Sequence, residues 1–204
     1  MAGMIRGQVI YYAPTSPYAR KVRAVAHRLG VALELERVNP VGWDNDYGKV
    51  NPINRVPSLL LDDGVVLFDS PVICEFLDAT YGPVLIPPGG RDRWDTLCRQ
   101  ALGDGIMDAA VPRRYELLRP QNLQSSDRLA LYARSVEQAL DHLETRARTL
   151  PHDDLGAIAI ASALDYLELR FPDEPWANGR PLLHEWYKPQ AQREFMKATL
   201  PERP

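Results

Sequence analysis

The rhythm of apolar and polar positions changes part-way along the chain. Gln8-Val9-Ile10-Tyr11-Tyr12 is a β-branched and aromatic run closed by Pro14, which predicts a strand. Thr15-Ser16-Pro17 follows, a hydroxyl N-cap with proline at the first helical position. The helix it opens has Val22, Val25, Ala26 and Leu29 on one face and stops at Gly30. Leu33 to Val38 alternates apolar and charged residues, the pattern of a half-buried strand. A loop-rich stretch holds Asn39-Pro40, Asp44-Asn45-Asp46 and Asn51-Pro52, with room for one short helix between Trp43 and Val50. Asp62-Asp63-Gly64 then separates Pro57-Ser58-Leu59-Leu60-Leu61 from Val65-Val66-Leu67-Phe68, a strong hairpin signal. Asp69-Ser70-Pro71 repeats the hydroxyl-before-proline device, with Ser70 as cap, and opens a helix through Val72, Ile73, Phe76 and Leu77. The order β-α-β then β-β-α predicts one compact α/β unit.

Beyond Arg93 the period is helical throughout. Leu129, Tyr132, Ala133, Val136, Leu140 and Leu143 form a 3.6-residue stripe, and Arg93–Leu118 and Leu155–Arg170 also read as helices. Pro172, Pro175, Pro181 and Pro189 punctuate the tail, so its helices are short. The expected organisation is an α/β domain over 7–83, a proline-rich linker over 84–92 and an all-helical domain over 93–204.

Composition narrows the function classes. The 204 residues carry 24 basic and 27 acidic side chains, a net charge of −3 with no basic stripe, which argues against binding nucleic acid through its phosphates. Two cysteines, Cys74 and Cys98, are too few for a disulfide scaffold and too far apart for a CxxC pair; both are expected to line the core. His27, His142, His152 and His184 lack metal-ligand spacing, so no metal is expected. The longest apolar run, Leu155 to Leu164, is shorter than a bilayer span, and Met1-Ala2-Gly3-Met4-Ile5-Arg6 lacks a secretory h-region. A cytoplasmic protein with no membrane partner is the expectation.

Three short stretches carry candidate chemistry. Proline at the entrance of an interior strand, Val56-Pro57, fits either an ordinary trans bond at the first strand residue, which the residues alone favour, or a cis bond. A cis bond would turn the backbone N–H and C=O of Val56 outward to pair with an extended peptide. Ser70 either caps its own helix, with Asp69 complementing the dipole, or contributes to an anion site at the helix N-terminus. Ser16 has the same two readings: a helix cap, or a hydroxyl aimed with the dipole at an anion or thiolate.

Four matched stretches in this order resemble glutathione transferases. They are Thr15-Ser16-Pro17-Tyr18-Ala19-Arg20-Lys21-Val22-Arg23, Asn51-Pro52-Ile53-Asn54-Arg55-Val56-Pro57-Ser58-Leu59, Leu67-Phe68-Asp69-Ser70-Pro71-Val72-Ile73 and Gly103-Asp104-Gly105-Ile106-Met107-Asp108-Ala109. The last is similar to a little-characterised bacterial branch. The resemblance implies a thioredoxin-like N-terminal domain, a helical C-terminal domain and a homodimer. It also implies Ser16 as the serine that hydrogen-bonds the glutathione sulfur. Val56 would pair with the cysteinyl backbone beside a cis Pro57, Asp69 and Ser70 would hold the γ-glutamyl end, and Arg55 would take the glycyl carboxylate. An acid placed like Asp104 reaches the γ-glutamyl amine across the dimer in some relatives; a surface acid is an equal reading. Tyr18, Met107, Tyr115 and Trp176 are candidates for the electrophile pocket. Tyr11 rivals Ser16 as thiol activator, although an alternating strand should bury one of Tyr11 and Tyr12.

Departures from the family pattern are visible as well. Asn54 replaces a frequent glycine, and asparagine tolerates the left-handed backbone. Asp154-Leu155-Gly156-Ala157 keeps the cap of a capping box but lacks its reciprocal acid, which predicts a loss of about 1 kcal/mol. Arg20, Lys21, Arg23 and Arg28 read as a solvated face of the first helix. The implied function is conjugation of glutathione, as substrate, to small electrophiles in detoxification. The alternatives are a glutathione-dependent isomerase or dehalogenase, and a binding protein of this fold that has lost catalysis.

Overall fold

The computed structural model describes residues 8–40 and 46–201. The chain divides into two compact units, Met1–Pro88 with Glu194–Pro204, and Gly89–Arg193.

In the first unit β1 (Val9–Tyr12), β2 (Glu34–Arg37), β3 (Ser58–Leu60) and β4 (Val66–Leu67) form one sheet in the order β2-β1-β3-β4. β1 runs parallel to β2 and antiparallel to β3, and β3 runs antiparallel to β4. Ile10 lies opposite Leu59, and both are fully buried, as are Val22 and Val25 of α1 (Pro17–Arg28) and Ile73, Cys74 and Leu77 of α2 (Ser70–Tyr81). These side chains form the unit's core, each contributing roughly 1.5–3 kcal/mol of transfer free energy.

Helix α1 begins and ends where its residues dictate. Ser16 is its N-cap, Pro17 starts it, and Gly30 at φ 71° terminates it. There the Gly30 N–H donates to the His27 carbonyl and the Val31 N–H to that of Ala26, the paired bonds of a glycine-terminated helix.

Three expectations need correction here. β2 is exposed along its whole length instead of half-buried; it is an edge strand, and its Glu34, Glu36 and Arg37 discourage further strand pairing. Arg20 and Lys21 are buried rather than solvated; Arg20 reaches the Met196 carbonyl at 3.2 Å, where α7 (Glu194–Lys197) packs on α1. That packing groups the last residues with the first unit rather than with the helical one. The short helix expected between Trp43 and Val50 is present as a 3-10 turn, Asp46–Lys49; residues 41–45 lie outside the described residues.

The second unit contains α3 (Gly90–Leu117), α4 (Ser126–Arg146), α5 (Leu155–Arg170) and α6 (Pro181–Ala191). Every residue of α5 from Leu155 to Leu167 is buried, as an all-round apolar helix requires. Helices α3 and α5 meet backbone to backbone at Gly103, where an added Cβ would stand 2.7 Å from the Ala159 carbonyl carbon. The Glu144 carboxylate on α4 accepts from the Leu182 and Leu183 amides and so caps α6 from a neighbouring helix. No helix among the described residues is long and apolar enough to cross a membrane.

Candidate functional site

Strand register brings three of the marked stretches to one end of the sheet. β1 leads into Ser16. β3 begins at the same end, because Tyr11 pairs with Ser58 just after Val56-Pro57. β4 pairs Leu67 with Leu59, so Phe68-Asp69-Ser70 also leaves from that end. Helices α1 and α2 therefore both start there, with the positive ends of their dipoles together. The Val56–Pro57 and Phe68–Asp69 peptide bonds are both cis, so Pro57 is not the trans proline that its residue context alone favours.

Ser16 is half-buried, and its Oγ accepts from the Ala19 N–H at 3.2 Å. That bond uses a lone pair, so the hydroxyl proton remains available to a second partner. Ser70 is buried, but it is not the cap of α2. Asp69 occupies the N-cap position, with extended backbone and no side-chain cap bond, and Ser70 is the first helical residue. Residue 69 is the last with non-helical φ and ψ, and this sets the helix start one residue earlier than the hydroxyl-before-proline pattern implies. The Ser70 hydroxyl is thus not used in capping, while the Asp69 carboxylate is exposed.

Val56 is half-buried, and its backbone N–H and C=O bond to no other backbone group among the described residues. The Arg55 side chain next to it is exposed, whereas its carbonyl points inward and is held twice, by Tyr47 Oη at 3.0 Å and by Asn51 Nδ2 at 2.7 Å. The same two side chains hold Ser58 Oγ, at 2.7 Å and 2.9 Å respectively. Asn51, Ser58 and Tyr47 are all buried. Burial pushes the Tyr47 phenol above its ordinary pKa of 10.0, opposed in part by the Ser58 bond, so it stays protonated at neutral pH. Asn54 takes φ 50°, the left-handed backbone expected of it, and its amide reaches the Pro40 carbonyl at 3.1 Å. The sequence reading missed Tyr47, Asn51 and Ser58. A usable signal was Asn51 itself, whose Oδ1 accepts from the Ile53 N–H two residues on, an Asx turn.

The remaining candidates belong to both units. Tyr11 stacks obliquely on Tyr47 at 5.9 Å, and Tyr12 lies under the Arg23 guanidinium at 5.3 Å. Tyr18 is half-buried on α1. In the helical unit Asp104 is half-buried and Tyr115 exposed. Met107, expected at the electrophile pocket, is fully buried, a core position on α3; the apolar face that places it there is the face the helix packs inward. Trp176 is buried too, and its indole N–H donates to Glu168. Cys74 is buried as expected, but Cys98 is exposed and lines a 260 Å³ surface groove with Arg99, His142 and Arg146. No group of three or more metal-ligating side chains occurs among the described residues.

Comparison with known proteins decides the family. Residues 15–80 match the family model of the glutathione S-transferase N-terminal domain. The uncharacterized GST-like protein YibF of Escherichia coli K12 is 33% identical over 192 residues, 92% of this chain and 95% of its own. The chain belongs to the glutathione S-transferase family. A glutathione transferase family member from Pseudomonas fluorescens Pf-5, solved with bound glutathione, is 39% identical and superposes with a TM-score of 0.88, covering 96% of this chain and 100% of the other. A second structure from that organism, with bound S-(propanoic acid)-glutathione, is 38% identical with a TM-score of 0.86 over the same shares. The first unit is accordingly the family's thioredoxin-like domain, followed by its helical region.

Proposed function

We propose that this glutathione S-transferase family member binds glutathione at the sheet end and conjugates its thiolate to small electrophiles, acting as a cytoplasmic homodimer in detoxification. The observation that carries the reading is Ser16, whose cap bond leaves its O–H proton for a sulfur. An O–H···S⁻ contact at a helix N-terminus favours the charged form and lowers the thiol pKa. In this reading the Val56 N–H and C=O pair with the cysteinyl backbone as a neighbouring strand would, since no backbone group among the described residues competes for them. Ser70, with its hydroxyl not used in capping, and Asp69 hold the γ-glutamyl end. The exposed Arg55 guanidinium offers a bidentate grip on the glycyl carboxylate. The thiolate then attacks the electrophilic carbon, a C–S bond forms, and the displaced electron pair leaves with the leaving group. The bound S-(propanoic acid)-glutathione of the Pseudomonas relative, glutathione substituted on sulfur, supports conjugation as the chemistry.

The test is a thiolate-absorbance titration of glutathione bound to the purified protein and to Ser16→Ala. The parent is expected to ionise the bound thiol well below its free value. The variant should bind glutathione nearly as well, with the thiol pKa restored upward. Parent protein that binds no glutathione would overturn the catalytic reading. Equal thiol pKa in both proteins would remove Ser16 as activator and point to Tyr11 or a backbone amide.

A further inference from the structure

The bonds around the Arg55 carbonyl close into a ring with no proton left over. Asn51 has two amide protons, and its Nδ2 lies 2.7 Å from Arg55 O and 2.9 Å from Ser58 Oγ. Ser58 Oγ, accepting from Asn51, gives its own proton to Tyr47 Oη at 2.7 Å, and Tyr47 gives its proton to Arg55 O at 3.0 Å. Each hydroxyl accepts once and donates once, and the carbonyl uses both lone pairs. The remaining atom, Asn51 Oδ1, is taken by the Ile53 N–H at 3.1 Å. Tyr47 stays a donor over the working pH range because burial holds its phenol above the ordinary value. In such a closed, buried cycle the bonds reinforce one another, and removing one member leaves another buried and unsatisfied.

The ring's position makes it more than ballast. It grips the residue before Val56 through a backbone carbonyl and the residue after Pro57 through a side chain. Between those two anchors lies Val56, with a backbone N–H and C=O that no other backbone group among the described residues takes. A strand-like edge of one residue has little geometric tolerance, because its two bonds depend on the orientations of the two peptide units that flank Val56, and the ring holds the Arg55 carbonyl of the first.

We propose that Tyr47, Asn51 and Ser58 are positioning residues that act as one ring, holding the Arg55–Val56 backbone in register for the cysteinyl backbone of a bound thiol peptide. The inference rests on the glutathione reading above and adds to it the residues that set the peptide-pairing edge. All three are buried, and in this role they act through Arg55.

The experiment is a calorimetric titration of glutathione into the full-length parent, Tyr47→Phe, Ser58→Ala and the double variant, with melting temperature and bound-thiol pKa recorded for each. Tyr47→Phe keeps the aromatic ring and its packing on Tyr11, so the variant is expected to fold. The glutathione Kd should rise by ~3–10-fold, the loss of a net hydrogen bond transmitted to the ligand. The bound-thiol pKa should not move, since Ser16 is untouched. Because the ring is one unit, the double variant should weaken binding much less than the product of the two single effects. A merely structural role would lower the melting temperature and leave the Kd of the folded protein at the parent's value, and that result overturns the proposal. So do single effects that multiply in the double variant. No heat of glutathione binding by the parent itself would instead sink the glutathione reading, and this proposal with it.

Discussion

Asp154 gives the most stringent test of how the helical unit is held. It is the N-cap of α5, and its Oδ1 accepts from the Ala157 N–H at 2.7 Å. Its Oδ2 accepts from Thr96 Oγ1 at 3.1 Å and pairs with the Arg99 guanidinium, both on α3. Removing an N-cap side chain costs roughly 1 kcal/mol. Breaking a fully buried ion pair costs roughly 3–5 kcal/mol. The Asp154 and Arg99 side chains are 12% and 21% exposed, so solvent recovers part of that second cost. Asp154→Ala is therefore expected to destabilise by about 3 kcal/mol, and Asp154→Asn, which keeps a neutral cap, by about half as much. The assay is urea denaturation with Arg99→Ala and the double variant completing a cycle, read as midpoint shifts at constant slope. A loss below about 1 kcal/mol in Asp154→Ala, or strict additivity with Arg99→Ala, would falsify the claim that the cap and the α3 contacts are one device.

Three further outcomes follow from the same geometry. Gly103→Ala puts a Cβ 2.7 Å from the Ala159 carbonyl carbon and 2.8 Å from the Ile160 nitrogen, so α3 and α5 must separate. A net loss of roughly 1–3 kcal/mol is expected despite alanine's better helix propensity, and an unchanged melting curve would show that the crossing is looser than described. Ser70→Ala should leave stability nearly unchanged, because Asp69 and not Ser70 is the N-cap, yet weaken glutathione binding by about 1.5–3 kcal/mol; unchanged affinity in a calorimetric titration would remove Ser70 from the site. Burial, and secondly the Asp165 carboxylate, raise the Glu168 pKa above its ordinary 4.5, with the Tyr187 and Trp176 bonds opposing. The native state therefore keeps this proton to higher pH than the unfolded chain, and the stability it contributes is present below pH 4.5 and lost as pH rises through the native pKa. Glu168→Gln should flatten that decline in a pH series of urea midpoints, and a parallel pair of curves would refute it.

The sheet and its first helix were legible because local and long-range signals agreed. Ser16, Pro17, the Val22-Val25-Ala26 face and Gly30 each specify the same helix, and the structure uses all of them. The Asp-Gly hairpin likewise joins β3 to β4. What stayed hidden depends on partners far along the chain. Arg20 and Lys21 look like surface charge until α7 packs on α1 and the Met196 carbonyl receives Arg20. The missing acid after Asp154 looks like a half-built capping box, and the loss expected from it took no account of Thr96 and Arg99, which arrive from a different helix. Cys98 and Met107 sit nine residues apart on α3, one exposed and one buried, because a helix between neighbours buries one face only.

The site shows the same division, with a consequence for how such residues are weighed. A capping serine and an activating serine look like rival readings, but the cap takes a lone pair of Ser16 Oγ while activation takes its proton. The capping bond thus fixes where the hydroxyl points, at an end of the sheet where a second helix also begins. Ser70 is the opposite case: the residue that resembled a cap is released from capping by Asp69, and its buried hydroxyl gains the freedom to bind. Tyr47, Asn51 and Ser58 carry no recognisable motif because each does an ordinary thing, and only the closed ring of bonds, assembled from three segments, gives them a role. If Tyr47→Phe loosens glutathione while leaving its thiol pKa alone, then holding the peptide and activating the sulfur are separable tasks of two separate hydrogen-bond systems within one domain.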